Sequence, residues 1–110
     1  MQISWARTAT VAASAPDAFV DANWSVATGA ASALAVTIAS LPANNGAAIT
    51  DIEYDLNASG SWVSSGGTGS FNITGLTAST SYDVRLRAVN SAGAGTAGNT
   101  ETATSGAASA

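Results

Sequence analysis

The stretch "FNITGLTASTSYDVRLRAVNSAGAG", residues 71–95, decides the fold. Apolar and polar residues alternate in "SFNIT" (70–74) and again in "SYDVRLRAVN" (81–90), the pattern of strands that bury one face. The segments "GLTAST" (75–80) and "SAGAG" (91–95) are rich in residues that favour turns and loops. The stretch therefore predicts two strands, each followed by a tight connection.

The rest of the chain continues this pattern on the N-terminal side and after residue 95. Five further strands are predicted over 18–29, 33–41, 48–57, 61–65 and 99–104. The many alanines would favour helix, but no segment holds an apolar stripe of helical period for more than two turns. Seven strands in about ninety residues predict an all-β, seven-stranded antiparallel sandwich.

Composition limits both the core and the chemistry. The chain has 110 residues, enough for one domain, but 26 of them are alanine, so a few larger side chains must form the core. It contains no Cys, His or Lys, which removes disulfides, the usual neutral-pH base and the commonest imidazole metal ligand. Three arginines against seven acidic residues lack the basic footprint that nucleic-acid binding requires.

Residues 1–15 are predicted to be a retained N-terminal arm. They lack the basic opening and the Leu-rich centre of a secretion signal. No apolar run in the chain approaches the ~20 residues needed to cross a bilayer, so membrane insertion is not expected.

Three blocks together resemble the fibronectin type III family: "NNGAAITDIEYDL", the stretch 71–95 and "TETATS". The matching positions are Ile49, Tyr54, Ile73, Gly75, Leu76, Thr80, Tyr82, Arg87, Ala88, Asn90, Gly93 and Gly95. The resemblance covers residues 16–105 and implies an immunoglobulin-like sandwich, with residues 106–110 as a loose C-terminal end.

Structural roles are predicted for Leu76 and Tyr82, which belong to this set, and for Trp24, which does not. Leu76 is expected to plug the core, and Tyr82 to aim its hydroxyl at an upstream backbone group, as in a tyrosine corner. The family usually has a buried Trp on the second strand, where this chain has Ile38; Trp24 is expected to fill that space.

The segment "NWSVATGAASALAVTIASLPANNGAAITDIEY" is similar, more narrowly, to fibronectin type III units in virion proteins of bacteriophages and gene-transfer agents. This resemblance implies a non-enzymatic virion protein, a capsid decoration or tail-associated adhesion module on the particle surface. Its partners would be capsid or tail subunits, with a host-surface glycan as a further ligand. The alternative is a spacer module of a secreted, extracellular bacterial enzyme that binds carbohydrate weakly through Trp62.

The segment "DIEYDLN" (51–57) begins like a calcium-binding loop. The loop would need Gly at its sixth position and Glu at its twelfth, which here hold Leu56 and Trp62. The alternation with apolar residues instead predicts a strand whose acids point into solvent, too far apart to share one cation. In the fibronectin type III fold this strand lies beside the one carrying Arg85 and Arg87. The sequence therefore predicts an exposed cross-strand charge ladder formed by Asp51, Glu53, Asp55, Arg85 and Arg87, and no metal or cofactor.

Exposed aromatic residues are the candidate partner-binding groups. Trp62 is predicted either to cover one end of the core or to contact a ligand. Ile3, Trp5 and Arg7 lie in the arm, and residues 2–11 are predicted to bind an adjacent subunit by strand addition. No pair of carboxylates predicts a catalytic cleft, and "SSGGTG" lacks the lysine of a phosphate-binding loop, so no catalytic residue is expected.

Overall fold

The computed structural model describes residues 12–108. They form two antiparallel sheets packed as a sandwich, which confirms the predicted fold class. A short 3-10 helix spans Asp21–Asn23. The strands are β1 Trp24–Thr28, β2 Leu34–Ile38, β3 Asp51–Leu56, β4 Val63–Ser64, β5 Phe71–Ile73, β6 Ser81–Asn90, β7 Gly93–Ala94 and β8 Glu101–Thr104.

The two sheets differ in size. One has the order β1-β2-β5, and the other has the order β4-β3-β6, with β7 and β8 both pairing with β6. Within residues 12–108 the strand β7 is one more than predicted. It pairs Ala94 with Val89 and Gly93 with Asn90, directly after the turn that ends β6.

Most strands lie within their predicted ranges, and β6 occupies the predicted 81–90. The predicted strand over 18–29 begins only at Trp24 because the chain turns at Val20–Asn23. The Val20 N–H donates to Asn23 Oδ1 (2.9 Å), and the Asn23 N–H donates to the Val20 carbonyl (2.8 Å). A side-chain bond of this kind competes with the extended backbone that a strand needs.

The core lies between the sheets. Its buried members are Phe19, Trp24, Leu34, Val36, Ile52, Ile73, Val84, Leu86 and Ala88. The structure places Trp24 in this core at 3% exposure and in register with Ile38. Its indole N–H donates to Asn99 Oδ1 (3.1 Å), so the buried polar atom of the ring is satisfied.

The connection between β5 and β6 is a tyrosine corner. The Tyr82 hydroxyl accepts a hydrogen bond from the Thr77 N–H (3.0 Å), five residues upstream. Leu76 packs against the core at the same corner. Gly75, with φ of 72°, adopts the left-handed conformation that lets the chain turn there.

The C-terminal segment is ordered further than expected. Gly106, predicted to begin the loose end, is buried, and its N–H donates to the Ala33 carbonyl (3.1 Å). Its own carbonyl accepts from the Ser32 and Ser79 N–H groups (3.0 and 3.2 Å). A side chain at this position would place its Cβ 2.1 Å from the Ala30 carbonyl oxygen. The sandwich therefore includes Gly106, which crosses between the β1-β2 turn and the tyrosine corner.

Candidate functional site

The charge ladder lies on the outer face of the larger sheet, between β3 and β6, the two neighbouring strands on which the sequence places it. Glu53 pairs with Arg87 and Asp55 with Arg85 across β3 and β6. Arg87 Nε and Nη2 each lie 2.6 Å from Glu53 Oε1, and Arg85 Nη2 contacts Asp55 Oδ2. Asp51 lies opposite Val89 and accepts a hydrogen bond from the adjacent Ile52 N–H (2.9 Å). The ladder thus consists of two ion pairs, and Asp51, the third acid predicted to belong to it, faces no arginine.

Asp55 is buried, so the prediction of an exposed carboxylate there is wrong. Its side chain has no exposed surface. The Ser59 hydroxyl donates to Asp55 Oδ1 (2.6 Å) and the Gly60 N–H donates to Oδ2 (3.2 Å). The turn after β3 folds back over the carboxylate through Asn57 and Ala58, which both have positive φ. Asp55 therefore anchors this turn as well as pairing with Arg85.

The hydrogen bonds determine the ionisation of Asp55. Burial alone would raise the pKa of its carboxyl group. The hydrogen bonds from Ser59, Arg85 and Gly60, together with the Arg85 charge, outweigh burial and lower the pKa to about 2. Asp55 is consequently a permanent anion near neutral pH and cannot serve there as a proton donor.

Trp62 covers the ladder. Its ring centroid lies 4.4 Å from Cζ of Arg87 and 5.2 Å from Cζ of Arg85, within the range of cation–π attraction. The ring lies over the outer face of the sheet, so it does not cover an end of the core as one of its two predicted roles required. The other role, contact with a ligand, stays a prediction. One face of the indole is already occupied by guanidinium groups.

A second polar cluster, which the sequence did not indicate, joins the 3-10 helix to β8. Asn99 Nδ2 donates to Asp21 Oδ1 (2.6 Å) and to Glu101 Oε2 (2.8 Å). A hydrogen bond with Asp21, burial and the Asp21 charge all raise the pKa of the Glu101 carboxyl, and the Asn99 bond opposes them in part. Alternation alone gave no signal for this pair, because the two acids are 80 residues apart in the sequence.

Residues 14–17, here called the strap, lie against the loop between β2 and β3. The Ser14 N–H donates to the Asn45 carbonyl (3.1 Å), and the Asp17 N–H donates to the Ala43 carbonyl (3.0 Å). Asn90, buried at the end of β6, donates through Nδ2 to the Ser14 carbonyl (2.8 Å). The predicted arm, 1–15, thus contains two residues that bond to the sandwich, Ser14 and Ala15, whose carbonyl accepts from Asn45 Nδ2 (2.9 Å). Ile3, Trp5 and Arg7 lie outside the described residues.

The charged side chains of the described residues are engaged mainly in the two ion pairs of the ladder. Residues 12–108 contain no group of three or more acidic side chains placed to hold a metal ion. Both arginines of this range are paired with carboxylates. No helix in the same range is long and apolar enough to span a membrane.

The arrangement of strands matches solved structures of fibronectin type III domains. The sixth such domain of human fibronectin type III domain containing protein 3 matches with a TM-score of 0.60 and 21% identity, over 94% of each chain. The chain has the fibronectin type III fold. The FN1-FN3 domains of chicken CNTN1 match with a TM-score of 0.62 and 19% identity, over 86% of this chain and 35% of theirs.

A crystal structure of titin domains gives a TM-score of 0.62 at 20% identity, over 79% of this chain and 30% of that one. The chain therefore spans about a third of these two multidomain structures. No protein-family model matches the sequence, and a search of curated proteins finds no match. At these identities the fibronectin type III fold is what the likeness establishes.

Proposed function

We propose that this chain is a non-catalytic fibronectin type III module that serves as a structural or attachment component of a bacteriophage particle. The observation that carries the non-catalytic part is the internal pairing of the ladder. Glu53, Asp55 and both arginines of β6 bond to one another, and Trp62 covers the two guanidinium groups. Charged groups that pair with one another in this way stabilise the register of β3 against β6 and are not free to bind a substrate.

The attachment part of the proposal assigns docking to the residues that precede the strap. Ala13 packs against Gly46, and Ser14 bonds to Asn45, so the described chain begins close to the β2-β3 loop. This sequence offers Ile3, Trp5 and Arg7, residue types that are frequent anchors at interfaces. Strand addition to a capsid or tail subunit would use the alternation of this segment.

The virion context rests on the sequence resemblance of residues 23–54 to units of phage and gene-transfer-agent proteins. Location on the particle surface and capsid or tail subunits as partners belong to the same proposal. A host-surface glycan is a further ligand under this proposal, for a module that projects from the particle.

The test is incorporation of a chain that lacks residues 1–11 into particles. This deletion leaves the strap intact, whereas removing residues 1–15 would also remove bonds to Asn45 and Asn90. We expect incorporation to be lost while the melting temperature stays unchanged. A matched control, Trp62→Ala in the full chain, should incorporate normally. Normal incorporation of the truncated chain would contradict docking through this segment.

A second candidate is the spacer module of a secreted bacterial enzyme. The observation in its favour is the half-buried Trp62 beside Val63, which is 46% exposed on the edge strand β4. An aromatic ring next to an exposed apolar residue is a surface on which a sugar ring can stack. Glycan-array binding that disappears in Trp62→Ala would favour this candidate over the virion proposal, and no binding would count against it.

A further inference from the structure

Asn45 makes most of the hydrogen bonds that hold the strap against the β2-β3 loop. Its side-chain Nδ2 donates to the Ala15 carbonyl (2.9 Å) and to Asp17 Oδ1 (2.9 Å), and its carbonyl accepts from the Ser14 N–H (3.1 Å). One residue thus bonds to three of the four strap residues. Both side-chain bonds require the amide group, because a carboxylate at this position would have no hydrogen to donate.

Asn45 also precedes a glycine, and it is the only asparagine in the chain that does so. Asn45 and Gly46 are both exposed, with φ of 56° and 108°. Because glycine has no Cβ, the backbone nitrogen of Gly46 meets little steric resistance when it approaches the side-chain carbonyl carbon of Asn45.

We propose that Asn45 is a site of spontaneous deamidation and that the modification releases the strap irreversibly. The backbone nitrogen of Gly46 loses its proton to solvent base and attacks Cγ of Asn45. The new N–C bond closes a five-membered succinimide, and the side-chain nitrogen leaves as ammonia after taking a proton from solvent. Water then opens the ring at either carbonyl, which gives an aspartyl or an isoaspartyl residue.

The closed strap protects Asn45. Its Nδ2 is held by Ala15 and Asp17, and the Gly46 N–H that must react donates to Asn44 Oδ1 (3.1 Å). Ala13 packs against Gly46, since a Cβ added there would lie 3.2 Å from Ala13 Cα. The reaction therefore proceeds from the open strap, and its rate reports how often the strap opens.

The product opposes closure. In the unmodified chain Asn45 Nδ2 donates to the Ala15 carbonyl and to Asp17 Oδ1, each at 2.9 Å. After conversion, a carboxylate at position 45 faces the same two oxygen acceptors. Two donated hydrogen bonds are replaced by a contact between like charges. The isoaspartyl form also lengthens the backbone by one methylene at the tight turn. The strap thus acts as a latch that opens reversibly until Asn45 is converted and stays open afterwards. This inference does not depend on which partner residues 1–11 bind.

The first experiment ages the full chain in mildly alkaline buffer and maps deamidation by peptide mass spectrometry. The same chain unfolded in urea gives the intrinsic rate at each asparagine. We expect conversion at Asn45 in the folded chain, slower than in urea, with Asn44 and Asn90 converting far less. Amide exchange at Ser14 and Asp17 should become about tenfold faster or more in the modified protein. Complete protection of folded Asn45, or conversion without faster exchange, would overturn the proposal.

Variants separate the charge effect from general damage to the fold. Asn45→Asp mimics the aspartyl product and should speed exchange at Ser14 and Asp17 while leaving the β6 amides protected. Adding Asp17→Asn places a new amide opposite the new carboxylate, so the double variant should regain protection at Ser14. Unchanged exchange in Asn45→Asp, or no recovery in the double variant, would contradict the latch.

Discussion

Asp55 and Arg85 form an ion pair in which the carboxylate is fully buried and the guanidinium side chain is 26% exposed. The acid is therefore the partner that depends on the protein for solvation. Three hydrogen bonds, from Ser59, Gly60 and Arg85, replace water around the carboxylate, and the Arg85 charge adds to them. This pair joins β3, β6 and the turn after β3. Polar contacts on the outer face of the sheet therefore contribute to the stability of the fold.

Asp55→Asn should destabilise the sandwich by about 3 kcal/mol, because it leaves a partly buried arginine without its counter-charge. The matched control is Glu53→Gln in the neighbouring pair, whose carboxylate is 23% exposed. That change should cost less than about 1 kcal/mol. Urea denaturation of both variants measures the difference, and equal losses would show that burial of Asp55 has no special weight.

The lowered pKa of Asp55 predicts acid sensitivity. The folded pKa of about 2 lies below the ordinary aspartate pKa of 3.8, so the contribution of the group is present above pH 4 and is lost as pH falls toward 2. The shift corresponds to roughly 2 kcal/mol. The slope of unfolding free energy between pH 4 and pH 2 should be shallower in Asp55→Asn than in the unchanged chain. Parallel profiles would refute this assignment.

The raised pKa of Glu101 predicts the opposite dependence of stability on pH. Because the folded pKa of Glu101 is raised, the unfolded chain releases the proton first as pH rises, and the free energy of unfolding falls above the ordinary glutamate pKa of 4.5. Glu101→Gln should therefore raise the melting temperature at pH 7 and leave it nearly unchanged at pH 4. Thermal melts at the two pH values test this, with Glu53→Gln as the control that should show no such gain. A melting temperature lowered at pH 7 would mean that Asp21 and Glu101 do not repel each other.

Gly106→Ala should destabilise the fold, because the added Cβ would lie 2.1 Å from the Ala30 carbonyl oxygen and 2.8 Å from that of Gly29. Backbone oxygens cannot move aside cheaply, so we expect a loss of about 2 kcal/mol. Gly69→Ala is the matched control, since no atom lies within 4 Å of a Cβ built there. If both variants melted alike, Gly106 would not be the close crossing described above.

The sequence predicted those features that depend on continuous alternation. The bounds of β6 followed from period two, and the placing of the acidic row of β3 beside Arg85 and Arg87 followed from the family resemblance. The features it missed depend on side chains that bond across turns. Ser59 folds over Asp55 from four residues away, and Asn23 ends the extended path before β1. Neither bond changes the apolar pattern, so only the three-dimensional path of the turn reveals it.

The position of Trp62 was missed for a related reason. Its place on a short edge strand indicated exposure, but a two-residue strand does not show which face its flanking residue covers. The strap was likewise hidden, because in the sequence Asn45 is predicted to be a loop residue and Asn90 the last residue of a strand. Their bonds to residues 14–17 are long-range contacts that composition does not encode.

Electron microscopy of particles released by the organism that encodes this chain tests the central proposal most directly. Particles with the full chain should show density for one sandwich per attachment site, with the β2-β3 loop near the particle surface. That density should be absent from particles made with the chain that lacks residues 1–11. Particles without such density when the full chain is present, or sandwiches retained after the deletion, would contradict the proposed attachment.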